Sequence, residues 1–472
     1  MGIIKGTIWT SLSFLVVTII YLLRISILTR FLDKSDFGLV AIVLFVLGFT
    51  NIFADMGISS ALLSQKEITK KEYSSLYWGG IFLAVLLYCI IVLLSPAFVY
   101  FYDYEELNFL IPILGLDLIF SSIGRQFTVF KQKELKFKQL SLIKIVSELI
   151  SLIVAVLLAV NGFGIWSLIV SLLVTSSLNS LLNMIWGYKS HPLKFYFNYQ
   201  ETKHLYKIGF YQTGAQILDY LSSQIDILIL GKLLPMSEMG VYSIIKAFVF
   251  RVYSSINQIF TKVMVPLLAK VQEEPFLLKN MYLFIVNLIS IINSFIYFII
   301  FINAAIILKV LYGDAYVDYS VILQILTIWG LCSSIVNCSS AIIISTGKTH
   351  LGFKWTQFRI FLNPITIFIG AYYGGVIGVC ISQAIYSLLT IILYWKIVIN
   401  QISTIITLKD YINSLIVPLL IGGICLPVFY YLGLLYEVNE YLKFVISVLF
   451  LGIIFYFTLG RDTMLNIKKF GN

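Results

Sequence analysis

The chain alternates long apolar runs with short polar breaks. A helix needs about 20 mostly apolar residues to cross the hydrocarbon of a bilayer. Fourteen stretches meet that length: 7–30, 38–63, 76–101, 107–130, 141–160, 164–186, 208–231, 239–265, 281–308, 319–345, 356–373, 375–398, 412–434 and 441–459. Only the turn Gly374-Gly375 parts the eleventh from the twelfth. Strands of a membrane barrel alternate over about ten residues, and these runs do not. The pattern predicts an all-α integral membrane protein.

Charge adds orientation. The breaks at 1–6, 64–75, 131–140, 187–207, 266–280, 346–355, 396–411 and 460–472 hold 21 of the 33 Lys and Arg. The opposite set holds only Arg30, Lys34, Lys232, Lys309 and Lys443, among the acids Asp103, Glu105, Glu106, Asp314, Glu437 and Glu440. Cations are retained on the cytoplasmic side, so both termini are expected inside. Lys5 precedes the first run without a small-residue cleavage site, which reads as an uncleaved first span.

Composition agrees. Of 472 residues, 60% are hydrophobic and 12% charged, with a mean hydropathy of +0.95. A soluble protein of this size needs more charged surface than that. The net charge of +10 does not indicate nucleic acid, because the cations sit in breaks beside a bilayer. The five cysteines lie in apolar runs without paired spacing and read as packing residues.

A repeat organises the spans. Residues 28–38 read LTRFLDKSDFG and residues 230–240 read LGKLLPMSEMG. The first joins spans 1 and 2, the second joins spans 7 and 8. The glycine turns at 161–164 and 374–378 correspond in the same way. Two six-helix lobes of like orientation result, related by an axis along the membrane normal. The expected plan is an N-lobe at 1–186, a basic cytoplasmic linker at 187–207 lying along the inner membrane surface, a C-lobe at 208–398 around a shared central cavity, and two further helices with a short tail at 399–472.

Polar residues inside the spans form stripes at helical spacing. Span 2 carries Asn51, Asp55 and Ser59, and span 4 carries Asp117, Ser121 and Arg125. Span 7 carries Gln212, Gln216, Asp219, Ser223 and Asp226, while span 8 carries Lys246, Arg251, Ser255, Gln258 and Lys262. Arg24 lies about two-thirds of the way out along span 1. A charge at membrane depth costs at least a few kcal/mol and has to face a partner or a cavity. Asp117 with Arg125, and Lys144 with Glu148, read as structural pairs.

The stretches TRFLDKSDFG, ADMGISSALLSQKEIT, FKQKELKFKQLSLIKIVSELI, NGFGIWSLI and DILILGKLLPMSEMGVYSI resemble the Wzx-type polysaccharide flippases of the multidrug/oligosaccharidyl-lipid/polysaccharide exporter superfamily. The likeness runs from the first span to about the twelfth. It implies a multi-pass protein of the bacterial cytoplasmic membrane that moves an undecaprenyl-diphosphate-linked glycan between leaflets. Polysaccharide polymerase and assembly proteins are the partners it implies, alongside the lipid bilayer. It also implies that spans 1, 2, 7 and 8 line the cavity, with Arg24 and Arg251 in the spans where lipid II flippases place cavity arginines.

A diphosphate accepts bidentate hydrogen bonds from guanidinium groups. Arg24 and Arg251 are therefore the expected diphosphate contacts, with Lys246 as an accessory. Asn51, Gln216, Ser255 and Gln258 are expected polar cavity residues. Asp55, Asp219 and Asp226 either carry coupling H⁺ or Na⁺ or neutralise those cations, and both readings stay open. No cofactor or metal is expected.

Other chemistry is poorly supported. Ser345-Thr346-Gly347-Lys348-Thr349 resembles the tail of a P-loop, but Ile342 stands where its first glycine belongs. His191, His204 and His350 lack metal-ligand spacing. Asp33 with Asp36 is more simply a helix cap than a metal site. A membrane glycosyltransferase or polymerase needs a substantial outer loop, and every outer break here is short, so no enzyme is expected. A cation-coupled small-molecule exporter on the same fold is the alternative, disfavoured by the cations of spans 1 and 8.

Overall fold

The computed structural model describes residues 2–65, 68–435 and 440–456, all in helices and short connections. The first half runs α1 (Gly2–Leu28), α2 (Lys34–Asp55), α3 (Ile58–Ser64), α4 (Lys70–Tyr102), α5 (Leu107–Gly115), α6 (Asp117–Lys133), α7 (Phe137–Val160), α8 (Ile165–Tyr188) and α9 (Tyr199–Leu233). The second runs α10 (Met236–Lys270), α11 (Pro275–Ile302), α12 (Ala304–Tyr312), α13 (Ser320–Ser339), α14 (Ala341–Ser345), α15 (Thr349–Tyr394), α16 (Asn400–Ile402), α17 (Leu408–Leu435) and α18 (Glu440–Phe455). Among the described residues, ten stretches are long and apolar enough to cross a membrane.

The expected spans and these stretches differ where polarity or glycine intervenes. The seventh expected span lies in α9, whose Gln and Asp stripe keeps it off the apolar list. The eleventh and twelfth form one helical run, Thr349–Ile402, broken at Gly374 and Gly375. Gly375 has φ +55°, a backbone state that side chains disfavour. The thirteenth is α17, and the last is the shorter apolar helix Leu442–Phe455.

Local signals start the helices where the chain needs them. Thr69 accepts from the Glu72 N–H at 3.2 Å while its own N–H donates to Glu72 at 2.9 Å, a reciprocal cap on α4. Thr407 and Asp410 repeat the arrangement on α17. The Asp33 N–H donates to Asp36 at 3.2 Å, so this acidic pair caps α2.

The helices form two compact units, Met1–Ser243 and Ile244–Asn472, whose border falls inside α10. In the first, α7 packs on α1 and α8, α6 packs on α8, and α2 packs on α9. Small residues permit the closest approaches. A Cβ on Gly38 would strike the Met236 backbone oxygen, and one on Gly240 would strike the Lys34 carbonyl oxygen. The repeated stretches at 28–38 and 230–240 therefore meet each other, each using its glycine to admit the other's backbone. The Tyr220 hydroxyl then ties α9 to α2 by donating to the Phe45 carbonyl at 2.9 Å.

The connection between α8 and α9 is fastened to this unit. The Trp78 indole donates to the Lys194 carbonyl at 2.9 Å, and the backbone N–H groups of Lys194 and Asn198 donate to Ser74 and Ser75 at 3.0 Å. His191 Nε2 lies 2.8 Å from Glu134. A hydrogen bond from Lys136 holds the Glu134 carboxyl below its ordinary range, partial burial opposes this, and His191 adds to the lowering. The stabilisation that the Glu134 carboxylate draws from Lys136 is thus fully present above the ordinary carboxylate range and lost as pH falls through the lowered value.

In the second unit α11 is central, contacting α13, α17 and α18, and α13 packs on α15. The two C-terminal helices are pinned to α11 by polar contacts. Asn287 donates to the Ser414 carbonyl at 2.9 Å, Lys279 pairs with Asp410 at 2.6 Å, and Asn303 donates to Ser447 at 2.8 Å.

The glycine contact is testable. Gly240→Leu should destabilise the protein by about 1–3 kcal/mol, because overpacking forces backbones apart. Gly80→Ala, with nothing within 4 Å of the added Cβ, should be neutral or slightly stabilising. Thermal unfolding in detergent reads both; equal melting temperatures would exclude the close approach.

Candidate transport site

α2 ends inside the polar stripe expected of its span. Asp55 is its last residue, and Met56 and Gly57 follow with φ +41° and +64°. The break turns the chain into α3 and brings Ser59 back, where its hydroxyl donates to Asp55 Oδ1 at 2.5 Å. A Cβ on Gly57 would strike the backbone of Gly209 in α9, which explains the glycine there. Only glycine combines this conformation with that proximity.

Around the break, the stripes of α2 and α6 form one network. Arg125 Nη1 lies 3.8 Å from Asp55, and its Nη2 donates to Asn51 Oδ1 at 3.0 Å. The Asn51 amide in turn donates to Asp117 at 3.1 Å. Asp117 and Arg125, expected as a direct pair, are joined through Asn51 instead. The network sets two carboxylates against one guanidinium, with every member only partly buried. At membrane depth such an excess of negative charge favours the presence of a cation or proton.

Arg24 lies elsewhere. It is 2% exposed, 3.4 Å from Glu148, and donates to Ser151 at 2.7 Å and Thr175 at 3.3 Å. Its guanidinium also lies over the Tyr21 ring, 5.6 Å from the centroid. The group thus bridges α1, α7 and α8 within the first unit. Glu148, assigned to Lys144 on spacing, faces Arg24. Spacing along one helix shows only local partners, whereas Arg24 arrives from 124 positions away in sequence (148 − 24).

The stripe of α9 splits by exposure. Gln216 and Asp219 are exposed. Asp226 is 4% exposed and accepts from the Tyr242 hydroxyl at 2.5 Å. In the second unit, Lys246 is 8% exposed and Arg251 and Ser255 are partly buried. The Ser255 hydroxyl donates to the Arg251 carbonyl at 2.7 Å, a turn of its own helix. The side chain of Gln258 lies outside the described residues.

Sequence reasoning missed the buried hydroxyls of Ser151 and Thr175, although Ser147 and Ser151 flank Glu148 at helical spacing. It also missed Lys131, placed in an inner break. Lys131 is 3% exposed in the last turn of α6 and donates to the Asn183 carbonyl at 3.2 Å. Among the cysteines, Cys332, Cys338 and Cys380 are buried as expected for packing residues, while Cys89 is exposed. The side chain of Cys425 lies outside the described residues.

Many membrane-spanning helices, with carboxylates and cations inside them, define the class: a multi-pass membrane protein. The particular family follows from comparison. Residues 27–321 match the model of the polysaccharide biosynthesis protein family, and the chain belongs to that family. It is 29% identical over 420 residues, 88% of this chain and 86% of the relative, to an uncharacterized membrane protein in the cps region of Klebsiella pneumoniae. It is 26% identical to the teichuronic acid biosynthesis protein TuaB of Bacillus subtilis, over 89% of this chain and 86% of that protein. It is 25% identical to the lipopolysaccharide biosynthesis protein WzxC of Escherichia coli, over 91% of this chain and 87% of that protein. In fold it is similar to the lipid II flippase MurJ in its inward closed conformation, with a TM-score of 0.76, 17% identity and coverage of 98% of this chain and 100% of that one. A multidrug resistance MATE family transporter in an inward-facing conformation follows, with a TM-score of 0.64, 14% identity and coverage of 81% and 94%.

The Arg24 network makes a prediction separable from transport. Arg24→Ala takes from the partly buried Glu148 its cation among the described residues and should cost about 3 kcal/mol, whereas Arg24→Ala with Glu148→Ala should cost less. Thermal unfolding of both variants reads the difference. A double variant no more stable than the single one would rule out the ion pair as the cause.

Proposed function

We propose that this protein is a flippase that carries undecaprenyl-diphosphate-linked oligosaccharide repeat units from the cytoplasmic to the outer leaflet of the bacterial cytoplasmic membrane, for cell-surface polysaccharide. The observation that carries the reading is the placement of Lys246 and Arg251 within Met236–Asn257, a membrane-spanning stretch of α10, in a protein of a polysaccharide biosynthesis family. Two cations at that depth suit a doubly charged headgroup, and a guanidinium binds phosphate oxygens in pairs. The names of the relatives TuaB and WzxC, and of a succinoglycan biosynthesis transport protein of Rhizobium meliloti, support a glycan cargo. The fold shared with MurJ supports movement by alternating access between lobes at 1–186 and 208–398, with 187–207 as linker and 399–472 as an appended pair.

Arg251 and Lys246 are the diphosphate contacts in this reading. Arg24, 2% exposed and held by Glu148, joins them only in a conformation that parts α1 from α7 and α8. Asn51, Asp55, Gln216, Asp219, Asp226, Ser255 and Gln258 supply the polar path. H⁺ or Na⁺ is taken up at the carboxylates, and the Asp55–Asp117 network is the better candidate on its charge balance. Coupling is not obligatory, since an inside-negative potential favours outward anion movement by about 2.3 kcal/mol per charge per 100 mV.

The test is made in cells lacking the gene, by extracting polyprenyl-linked intermediates for mass spectrometry. A complete diphosphate-linked repeat unit should accumulate, and Arg251→Ala or Lys246→Ala at normal expression should leave much of it in place. Unchanged intermediates, with reduced export of a drug or cation instead, would replace this reading with the small-molecule exporter.

A further inference from the structure

The cargo has a sugar end as well as a phosphate end, and the chain's 30 tyrosines and 7 tryptophans offer no choice by sequence alone. Packing within the second unit makes one. Tyr253 of α10 stacks on Trp329 of α13, with ring centroids 6.4 Å apart and planes 28° from parallel. Phe250 flanks Tyr253 at 5.4 Å. On α13, Trp329, Ser333 and Asn337 follow one another at four-residue intervals and share a face. The Asn337 amide donates a hydrogen bond to the Tyr253 hydroxyl.

Two observations set this patch apart from ordinary helix packing. Asn337 is exposed, yet lies within the membrane-spanning stretch Asp314–Ser345. An exposed amide at that depth is costly against hydrocarbon and cheap against water or a polar ligand. One turn beyond Tyr253 on α10, Asn257 is 8% exposed. Its Oδ1 accepts from Ser334 at 3.2 Å and from the Cys338 thiol at 2.7 Å. Its Nδ2 has no hydrogen-bond partner among the described residues. A buried donor left unsatisfied is disfavoured unless something else in the working cycle uses it.

We propose that Tyr253, Trp329 and Asn337, backed by Asn257, form the glycan subsite, an assignment that rests on the flippase reading above. A pyranose ring has an apolar C–H face and a rim of hydroxyls. The face packs on the aromatic pair, and the rim exchanges hydrogen bonds with the amides. Lys246 lies seven residues before Tyr253, two turns along the same face and about 10 Å along the axis, while Arg251, two residues before Tyr253, lies about 3 Å along the axis on another face. In the cargo the diphosphate is bonded directly to the first sugar, so phosphate contact and ring platform belong at neighbouring depths. Stacking is tolerant of sugar identity and modest in strength, as suits a carrier that has to release its load.

The experiment compares two ligands by calorimetry on the purified full-length protein in detergent. One is the glycolipid extracted from cells lacking the gene; the other is undecaprenyl diphosphate, which has no sugar. Trp329→Ala and Asn337→Ala should weaken glycolipid binding about tenfold and leave undecaprenyl diphosphate binding unchanged. Arg251→Ala should weaken both. Trp329→Phe keeps a ring and should retain most glycolipid affinity, which guards against a misfolded alanine variant. If Trp329→Ala weakens both ligands alike, or neither, the subsite is overturned while the flippase reading stands. If the wild-type protein binds neither ligand, both fall together.

Discussion

A charge inside a bilayer has to find an opposite charge, a dense set of hydrogen bonds or water, and that constraint orders most of this molecule. Arg24 and Glu148 meet it by pairing, with Ser151 and Thr175 accepting further hydrogen bonds from the guanidinium. The pair joins α1 to α7 while α8 supplies Thr175, so three helices of the first unit are registered by one buried contact. Replacing such a pair with apolar groups often costs little, whereas removing one partner costs much. Its contribution is to fix an arrangement more than to add stability.

The second network meets the same constraint incompletely. Among the described residues, Asp55, Asp117 and Arg125 leave one negative charge over, and Asn51 bridges them without cancelling it. This imbalance sits where α2 stops and α3 starts, at Met56 and Gly57. The break frees backbone polar groups as well as turning the chain, and such backbone is tolerated at membrane depth where it is enclosed by protein or borders water. A bend, an excess carboxylate and a hydroxyl from the next helix thus come together because each makes the others tolerable.

Recognition of a lipid-linked glycan asks for three chemistries in one protein: cations for phosphate, rings and amides for sugar, and a membrane-embedded frame. In the proposed reading the second unit supplies the first two along a single helix, with Lys246, Arg251 and Tyr253 within eight consecutive residues of α10. The frame is the fold shared with MurJ and with the MATE transporters.

Hydrophobic length was enough to read an all-α multi-pass membrane protein, because crossing a bilayer imposes a length and an apolarity that leave a mark on every span. The polar stripes were legible too: Asn51, Asp55, Arg125, Asp226 and Arg251 stood out as residues that hydrocarbon does not tolerate alone. Their partners were not legible. Periodicity along one helix shows which residues share a face, but the partner sits on another helix, at a distance in sequence that packing alone decides. Hence Glu148 went to Lys144 on paper and to Arg24 in the fold, and Asn51 emerged between Asp117 and Arg125. Tyr253, Trp329 and Asn337 carry no signal separately; an aromatic or an amide gains meaning only from what stands beside it. Composition and spacing determined that this chain lives in a membrane and bears charge there. The tertiary structure decided which charges cancel, which remain, and which face of α13 carries an exposed amide, because those are questions of contact.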